Sequence, residues 1–171
     1  MNLPFEVDME KLLRSVYESE KKKKCLSIIG KTCVWLNVAF FALVLAILAL
    51  GEDFKDALIA GGTAVLGYLF VTLMRGLLNR PRPYEVYDFY TVKPKEKSGH
   101  SFPSRHCYSA LVISTLSWLV SPLVFASLLI AATLIALTRV LLGIHFVRDV
   151  VCGAAIGALF GVIGVITATF I

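Results

Sequence analysis

The chain has 171 residues, of which 57% are hydrophobic and 17% charged, with a formal net charge of +5. Soluble domains are about 45–50% apolar, and here the excess lies in long runs, which predicts one integral membrane domain. The basic residues flank these runs instead of forming a patch on a polar fold, which argues against nucleic-acid binding and favours anionic lipid as the partner. The four cysteines are scattered without a CxxC pair, so neither a zinc site nor a disulfide framework is predicted.

Residues 1–31 are mixed in charge and are predicted to form an amphipathic, basic tail. An apolar stripe indicates a short helix lying on the bilayer surface, and its members are Met9, Leu12, Leu13 and Val16. The basic run Lys21–Lys24 is interpreted as a solvated flank of the first membrane span. Because the first apolar run follows this long polar tail, no cleavable signal peptide is predicted.

Residues 32–171 are predicted to form a membrane-embedded domain with five apolar spans. The spans are Thr32–Leu50, Ala57–Leu78, Ser104–Val120, Leu123–Leu142 and Phe146–Ile171. About 20 helical residues cross the roughly 30 Å hydrocarbon core. The predicted fold is therefore all-α, an integral membrane bundle of five transmembrane helices preceded by the amphipathic helix. The polar segment Asn79–Pro103 shows no helical stripe.

Three glycines spaced by four give the last span a face of small residues, which lets helices approach closely. They are Gly153, Gly157 and Gly161. Packing within the chain is the favoured interpretation, and a homo-oligomer formed through this face is the alternative.

Five spans place the tail, the Asn79–Pro103 segment and the turn after the fourth span at one membrane surface. Seven Lys and Arg residues lie in the tail and nine more at this surface, whereas Lys55 alone lies on the opposite side. The positive-inside rule then predicts a multi-pass protein of the cell membrane, expected to be a bacterial inner membrane, with this surface in the cytoplasm.

A polar stretch at this surface joins the fourth and fifth spans and contains Arg139, His145 and Asp149. On a helix that starts near His145, the histidine and the aspartate lie one turn apart, so the carboxylate can fix the imidazole tautomer. Arg139 offers a planar fork suited to phosphate. Without further partners, a histidine and an aspartate at this spacing more often form a structural hydrogen bond than a catalytic pair. The arginines of this stretch also fit a role as anchors at the membrane interface.

Two further groups of residues reach the same surface. Arg75 ends the second span and Arg82 lies between two prolines, which stiffen its backbone. Ser104 precedes the third span, where a helix amino-terminus offers free N–H groups to phosphate. His106, in the first turn, is placed to give a proton to a leaving oxygen and is favoured over its rival His100.

These three blocks resemble the type 2 phosphatidic acid phosphatase superfamily, which also includes glucose-6-phosphatase and vanadium haloperoxidases. Its signature is Lys-x6-Arg-Pro, then Pro-Ser-Gly-His, then Ser-Arg-x5-His-x3-Asp. The corresponding blocks here begin at Arg75, Pro103 and Thr138. Order and spacing fit throughout, and the combined pattern is far more specific than each of its parts.

The resemblance implies a role for each of eight residues. His145 attacks phosphorus to form a phosphohistidine, Asp149 holds His145, and His106 protonates the leaving alkoxide and then activates water. The phosphoryl oxygens are bound by Arg75, Arg82, Ser104, Arg105 and Arg139. The resemblance implies no metal and no other cofactor, and the sequence has no cluster of carboxylates suited to Mg²⁺.

Three positions depart from the signature. Arg75 stands for lysine, Thr138 for serine and Arg105 for glycine. The last change is the largest, because a glycine position with positive φ would strain an arginine. It bears on substrate preference more than on catalysis.

The predicted function is hydrolysis of a lipid phosphomonoester or pyrophosphate, with phosphatidate, phosphatidylglycerol phosphate and polyprenyl diphosphate as candidate substrates. Two alternatives stay open from the residues. One is a phosphotransferase that passes the phosphoryl group to an acceptor other than water. The other is a non-enzymatic bundle whose basic pocket binds anionic lipid.

Overall fold

The computed structural model describes residues 13–51, 54–87 and 99–170. Within these ranges the chain is helical and contains no strand, which confirms the all-α prediction. The helices are α1 (Glu20–Leu50), α2 (Phe54–Leu78), α3 (Pro83–Val86), α4 (Arg105–Leu116), α5 (Pro122–Leu141) and α6 (Val147–Phe170). A 3₁₀ turn, Ser117–Leu119, follows α4, and residues 13–17 are also helical.

Four helices of the described ranges are long and apolar enough to cross a membrane, namely α1, α2, α5 and α6. The predicted third span contains α4 and the 3₁₀ turn, and the 12 residues of α4 extend about 18 Å at 1.5 Å per residue. The prediction of a helical membrane bundle is confirmed, and the count of five full spans is not. A short helix is tolerated here because most residues of α4 are buried among the longer helices.

Helix α1 is one continuous element of 31 residues that begins well before the first apolar run. Ser19 caps it by accepting a hydrogen bond from the backbone N–H of Lys22 at 3.4 Å. The run Lys21–Lys24 continues the helix, since lysine is a good helix former. The predicted boundary between residues 31 and 32 therefore falls inside a single helix.

The helical residues 13–17 pack on the protein. Leu13 and Val16 are 1% and 6% exposed, and the Tyr17 hydroxyl donates to the carbonyl of Leu142 at 3.4 Å. The two apolar side chains are thus covered by the chain instead of lying on the bilayer, which corrects that part of the prediction. Met9 and Leu12 lie outside the described residues.

Helix α4 is the centre of the bundle and contacts α1, α2, α5 and α6. Its Tyr108, Val112 and Leu116 pack with Val71 of α2 and Leu128 of α5 in the main hydrophobic cluster. The amino-terminal end of α4 is thereby fixed between the ends of the longer helices, where the polar residues of the sequence blocks lie.

The glycine face of α6 packs against α4 of the same chain. Gly153, Gly157 and Gly161 are buried. A Cβ added to Gly153 would collide with the backbone of Ser104, and one added to Gly157 with the carbonyl of Tyr108. This confirms packing within the chain. The homo-oligomer through this face stays a prediction, although α4 of the same chain already occupies the face.

Replacing Gly157 by alanine is expected to lower the melting temperature of the detergent-solubilised protein. The new methyl group must push α6 away from the Tyr108 carbonyl, at a cost of about 1–3 kcal/mol. Gly62→Ala is the matched control, because its Cβ would meet nothing within 4 Å. Equal melting temperatures for the two variants would contradict the assigned packing.

Candidate active site

His145 lies in the loop between α5 and α6, two residues before α6 begins. Gly143 reverses the chain with a φ of +61°, and the backbone N–H of His145 donates back to the carbonyl of Arg139 at 3.2 Å. Helix α6 starts two residues after His145, next to the predicted start of the fifth span at Phe146. Helix α6 begins at Val147 because the Asp149 carboxylate accepts the Phe146 N–H at 3.0 Å and caps the first turn.

Ser101 links His145 to Asp149. The Ser101 hydroxyl donates a short hydrogen bond to Oδ2 of Asp149, and its oxygen lies 3.3 Å from Nδ1 of His145. The direct distance from that nitrogen to Oδ2 is 3.7 Å, too long for a hydrogen bond. Since the serine proton is directed to Asp149, the serine oxygen is free to accept from Nδ1–H. The network thus assigns the proton to Nδ1 and the lone pair to Nε2 of His145.

Burial keeps His145 neutral. The ring is 3% exposed, and this desolvation lowers the pKa of His145 below its ordinary value, although the nearby Asp149 carboxylate opposes the shift. The nearby Arg82 and Arg75 act in the same direction as burial. A neutral imidazole with a lone pair on Nε2 is the form that a nucleophile requires.

Arg75 fixes the loop that precedes α4. Its side chain is 6% exposed, and Nη1 donates to the carbonyls of Pro103 at 2.8 Å and Ser101 at 3.3 Å. An arginine at the end of a membrane helix is costly to bury unless such partners receive it. The guanidinium therefore positions the chain segment that carries the Ser101 hydroxyl.

Arg82 is held from two directions. Its Nε donates to the carbonyl of Gly99 at 3.1 Å, and its backbone N–H donates to the Glu85 carboxylate at 2.8 Å. The same carboxylate accepts the Gly99 N–H at 2.9 Å. Glu85 therefore ties the start of α3 to the segment before Ser101, and Arg82 is 7% exposed as a result.

The amino-terminus of α4 presents Ser104, Arg105 and His106. The Ser104 N–H donates to the carbonyl of Asp149 at 2.9 Å, while its buried hydroxyl makes no hydrogen bond to the described residues. Arg105 is the first helical residue and does not have a positive φ, so its place in a glycine position causes no backbone strain. Its guanidinium donates to the Tyr68 hydroxyl at 3.3 Å.

The structure brings the predicted site residues to one end of the bundle. His106 lies within electrostatic range of Arg139, His145, Arg105 and Arg75. Arg75 is in turn within range of the charges of Arg105, Arg82 and Asp149. His100 is close as well, but its Nδ1 is 2.9 Å from the Arg75 carbonyl, a contact that holds the ring to the backbone.

Two cavities adjoin the cluster. The larger, about 760 Å³, lies at its polar end and is lined by Lys21, Lys24, Lys31, Arg139 and Ile144, among others. The smaller, about 170 Å³, lies deeper between α1, α2, α4 and α5 and is lined by Asn37, Tyr68, Arg105 and His106, among others. The larger cavity therefore connects the cluster to the protein surface, and the smaller one extends from the cluster between the membrane helices.

Sequence reasoning missed the roles of Ser101 and Glu85. A lone serine in a loop carries no signal of its own, because its partners come from a segment more than forty residues away. Glu85 was detectable in principle, since a glutamate three residues after a helix cap is the pattern of a capping box.

Two histidines, a carboxylate and four arginines lie together at one end of a helical membrane bundle, and these residue types are suited to phosphoryl transfer. The chain belongs to the PAP2 superfamily, whose family model matches residues 56–170. This confirms the family predicted from the three blocks, and the chain is a membrane lipid phosphatase. All four cysteines are free, and among the described residues no group of three or more His, Cys, Asp or Glu is arranged to hold a metal ion.

Relatives and a solved structure agree with this assignment. The chain is 32% identical to the decaprenylphosphoryl-5-phosphoribose phosphatase of Mycobacterium tuberculosis over 139 residues, which cover 81% of this chain and 74% of the relative. It is 30% identical to the lipid A 1-phosphatase of Rhizobium johnstonii over 105 residues, covering 59% and 43%. The fold is similar to that of Aquifex aeolicus LpxE, with a TM-score of 0.68 at 24% identity, covering 91% of this chain and 93% of that one.

We expect Ser101→Ala to lower kcat about tenfold or more and to leave KM nearly unchanged. The substitution removes the hydroxyl that orients His145 and donates to Asp149. Because this hydroxyl does not contact the substrate, the rate of the chemical step falls and substrate binding does not change. Steady-state kinetics on a lipid phosphate measure the two constants. Ser114→Ala, on α4 and away from both cavities, is the control, because the Ser114 hydroxyl donates only to the carbonyl of Ala110. Wild-type kcat in Ser101→Ala would refute the relay.

Proposed function

We propose that the protein hydrolyses a phosphomonoester or diphosphate of a membrane lipid through a phosphohistidine on His145. The observation that carries this proposal is the relay from Asp149 through Ser101 to Nδ1, which leaves Nε2 of a buried, neutral imidazole as the nucleophile. No carboxylate, serine or cysteine in the described cluster has an equivalent activation.

In the first step, Nε2 of His145 attacks phosphorus and the bond from phosphorus to the leaving oxygen breaks. His106, in its protonated form, gives that oxygen a proton, so the lipid leaves as a neutral alcohol or a protonated phosphate. The negative charge of the bound phosphate supports that form, because it offsets the charges of Arg139, Arg105 and Arg75 near His106. The positive charge that develops on the His145 imidazole is stabilised by Asp149 through Ser101. The phosphoryl group is then carried on Nε2.

In the second step, His106 takes a proton from water as the water oxygen attacks phosphorus. The bond from phosphorus to Nε2 breaks, His145 returns to its neutral form, and inorganic phosphate is released. The same imidazole thus acts as acid and then as base, which microscopic reversibility requires of a double displacement.

The phosphoryl oxygens are proposed to lie among Arg75, Arg82, Arg105 and Arg139 at the amino-terminus of α4. Arginine side chains and helix N–H groups already in place stabilise the charge that spreads over these oxygens in the transition state. The buried Ser104 hydroxyl, which has no hydrogen bond within the described structure, is available as a further donor. This charge balance is the reason for proposing a reaction without a metal.

The substrate is proposed to keep its tail in the bilayer and its phosphate at the membrane surface. The large cavity contributes Lys21, Lys24 and Lys31 from one helix, a setting that attracts anionic head groups. The relatives named above act, by their names, on a phosphorylated polyprenyl sugar and on lipid A. These two therefore join phosphatidate, phosphatidylglycerol phosphate and polyprenyl diphosphate as candidates for this protein.

A trapping experiment tests the mechanism. With ³²P-labelled substrate and rapid quenching, we expect an acid-labile, alkali-stable label on wild-type protein and none on His145→Ala, which should lose about 10³-fold or more in kcat. His106→Ala should accumulate the label with an activated aryl phosphate, whose departure needs no proton. Turnover should persist in EDTA, because the arginines meet the phosphoryl charge.

The same purified protein can distinguish hydrolysis from the two alternatives, a phosphotransferase and a non-enzymatic lipid-binding protein. Hydrolysis in ¹⁸O-labelled water places one heavy oxygen in inorganic phosphate, whereas a phosphotransferase yields a new phosphate ester without it. Lipid binding without turnover on any phosphate of the panel would favour the non-enzymatic alternative. A wild-type rate in His145→Ala would refute the phosphohistidine.

We further propose that the site faces the cytoplasm of a bacterial inner membrane. Among the Lys and Arg residues that the structure describes, only Lys55, at the start of α2, lies at the end of the bundle opposite the site. Lys and Arg remain more numerous on the side of the site when the five arginines in or beside the phosphate site are left out of the count. The asymmetry in positive charge is therefore not explained by phosphate binding alone. This distribution follows the positive-inside rule.

Cysteine labelling tests this orientation. In an active background without the four native cysteines, Lys55→Cys is expected to react with an impermeant maleimide in intact spheroplasts. Lys95→Cys is expected to react only after the membrane is opened. Reversed labelling would place the site outside the cytoplasm.

A further inference from the structure

The small cavity beside His106 lies where the departing part of the substrate must be. It has a volume of about 170 Å³, room for several non-hydrogen atoms, and its lining includes His106, Arg105, Tyr68 and Asn37. In the proposed function, His106 protonates the leaving oxygen. The first atoms beyond that oxygen therefore lie within reach of this cavity.

The cavity also opens toward lipid. Val38 of α1 and Tyr68 of α2 belong to its lining, and they are 49% and 40% exposed on the flank of the membrane helices. A hydrocarbon tail attached to a leaving group in the cavity can thus extend between α1 and α2 into the bilayer.

The Nδ2 atom of Asn37 has no hydrogen-bond partner among the described residues that would explain its presence in this cavity. The side chain lies in the apolar part of α1 and is 2% exposed, and its Nδ2 is buried without a hydrogen bond to any described residue. A buried amide donor left without an acceptor destabilises a protein, whereas an apolar side chain of the same size does not. The position therefore carries a polar group that the fold itself does not use.

Arg105 adds a second donor to the same wall. Its guanidinium stacks 5.7 Å from the ring centre of Tyr68 and donates one N–H to the Tyr68 hydroxyl. A guanidinium has five N–H groups, so donors remain for a ligand in the cavity. The wall next to His106 is thus rich in donors, although it lies among membrane helices.

We propose that this cavity is a leaving-group subsite that selects lipids with hydrogen-bond acceptors next to the scissile oxygen, with Asn37 as its specificity-determining donor. Ester carbonyls and sugar oxygens are such acceptors, and the phosphate of a plain hydrocarbon alcohol lacks them. The assignment rests on the proposed function, because it takes the position of the leaving group from His106.

The test compares two substrates, phosphatidate and hexadecyl phosphate, presented in mixed micelles at equal surface concentration. Wild-type protein is expected to have the higher kcat/KM for phosphatidate. Asn37→Leu should lower kcat/KM for phosphatidate about tenfold, the effect of one lost hydrogen bond, and leave hexadecyl phosphate unchanged. Its melting temperature should stay equal or rise, because a buried unpaired amide has been removed.

Trp35→Leu is the matched control, since Trp35 lies on the same helix but is 73% exposed on the lipid side. It should leave both substrates unaffected. A lower melting temperature of Asn37→Leu with equal losses on both substrates would show a structural amide and overturn the subsite. Unchanged discrimination in that variant, or equal wild-type rates on both substrates, would also overturn it.

His145→Ala is the background control: only turnover above the rate of this variant is assigned to the site. If wild-type protein exceeds that background on neither substrate, the proposed function fails and takes the subsite with it. If turnover is clear and only the effect of Asn37→Leu is missing, the subsite fails alone.

Discussion

The active site depends on one backbone hydrogen bond, from the Ser104 N–H at the start of α4 to the Asp149 carbonyl near the start of α6. The two backbones come this close only because Gly153 has no side chain to separate them. This contact sets α4 against α6 in a single register. His106 on α4 and Asp149 on α6, the carboxylate linked to His145 through Ser101, are then fixed relative to each other by helices, which is the arrangement that a precise site requires.

The convergence of the three blocks was predictable because connectivity alone places their ends at one surface. The start of α4 was also predictable, since Ser104 before an apolar run is a helix cap. The start of α1 was predicted wrongly, because hydropathy reports where lipid lies and not where a helix begins. The roles of Ser101 and Asn37 could not be predicted from the sequence, because they depend on neighbours that are distant in the chain and are brought close only by the fold.

The arginines of the site have two tasks at once. Arg75 and Arg82 donate to the carbonyls of the loop that carries Ser101, so the cations proposed to bind phosphate also shape the segment that orients His145. Their mutual repulsion remains while no anion is bound. An arriving phosphate group relieves this repulsion, so part of the binding free energy comes from the protein itself.

The shortness of α4 has a consequence for the membrane around the protein. The helix and its 3₁₀ turn together have 15 residues, fewer than any of the four long helices, and Trp118 at that end is 51% exposed beside Phe125. An indole prefers the depth of the lipid head groups. The leaflet opposite the catalytic face is therefore expected to dip toward Trp118, so that the enzyme sits in a locally thinned patch of bilayer.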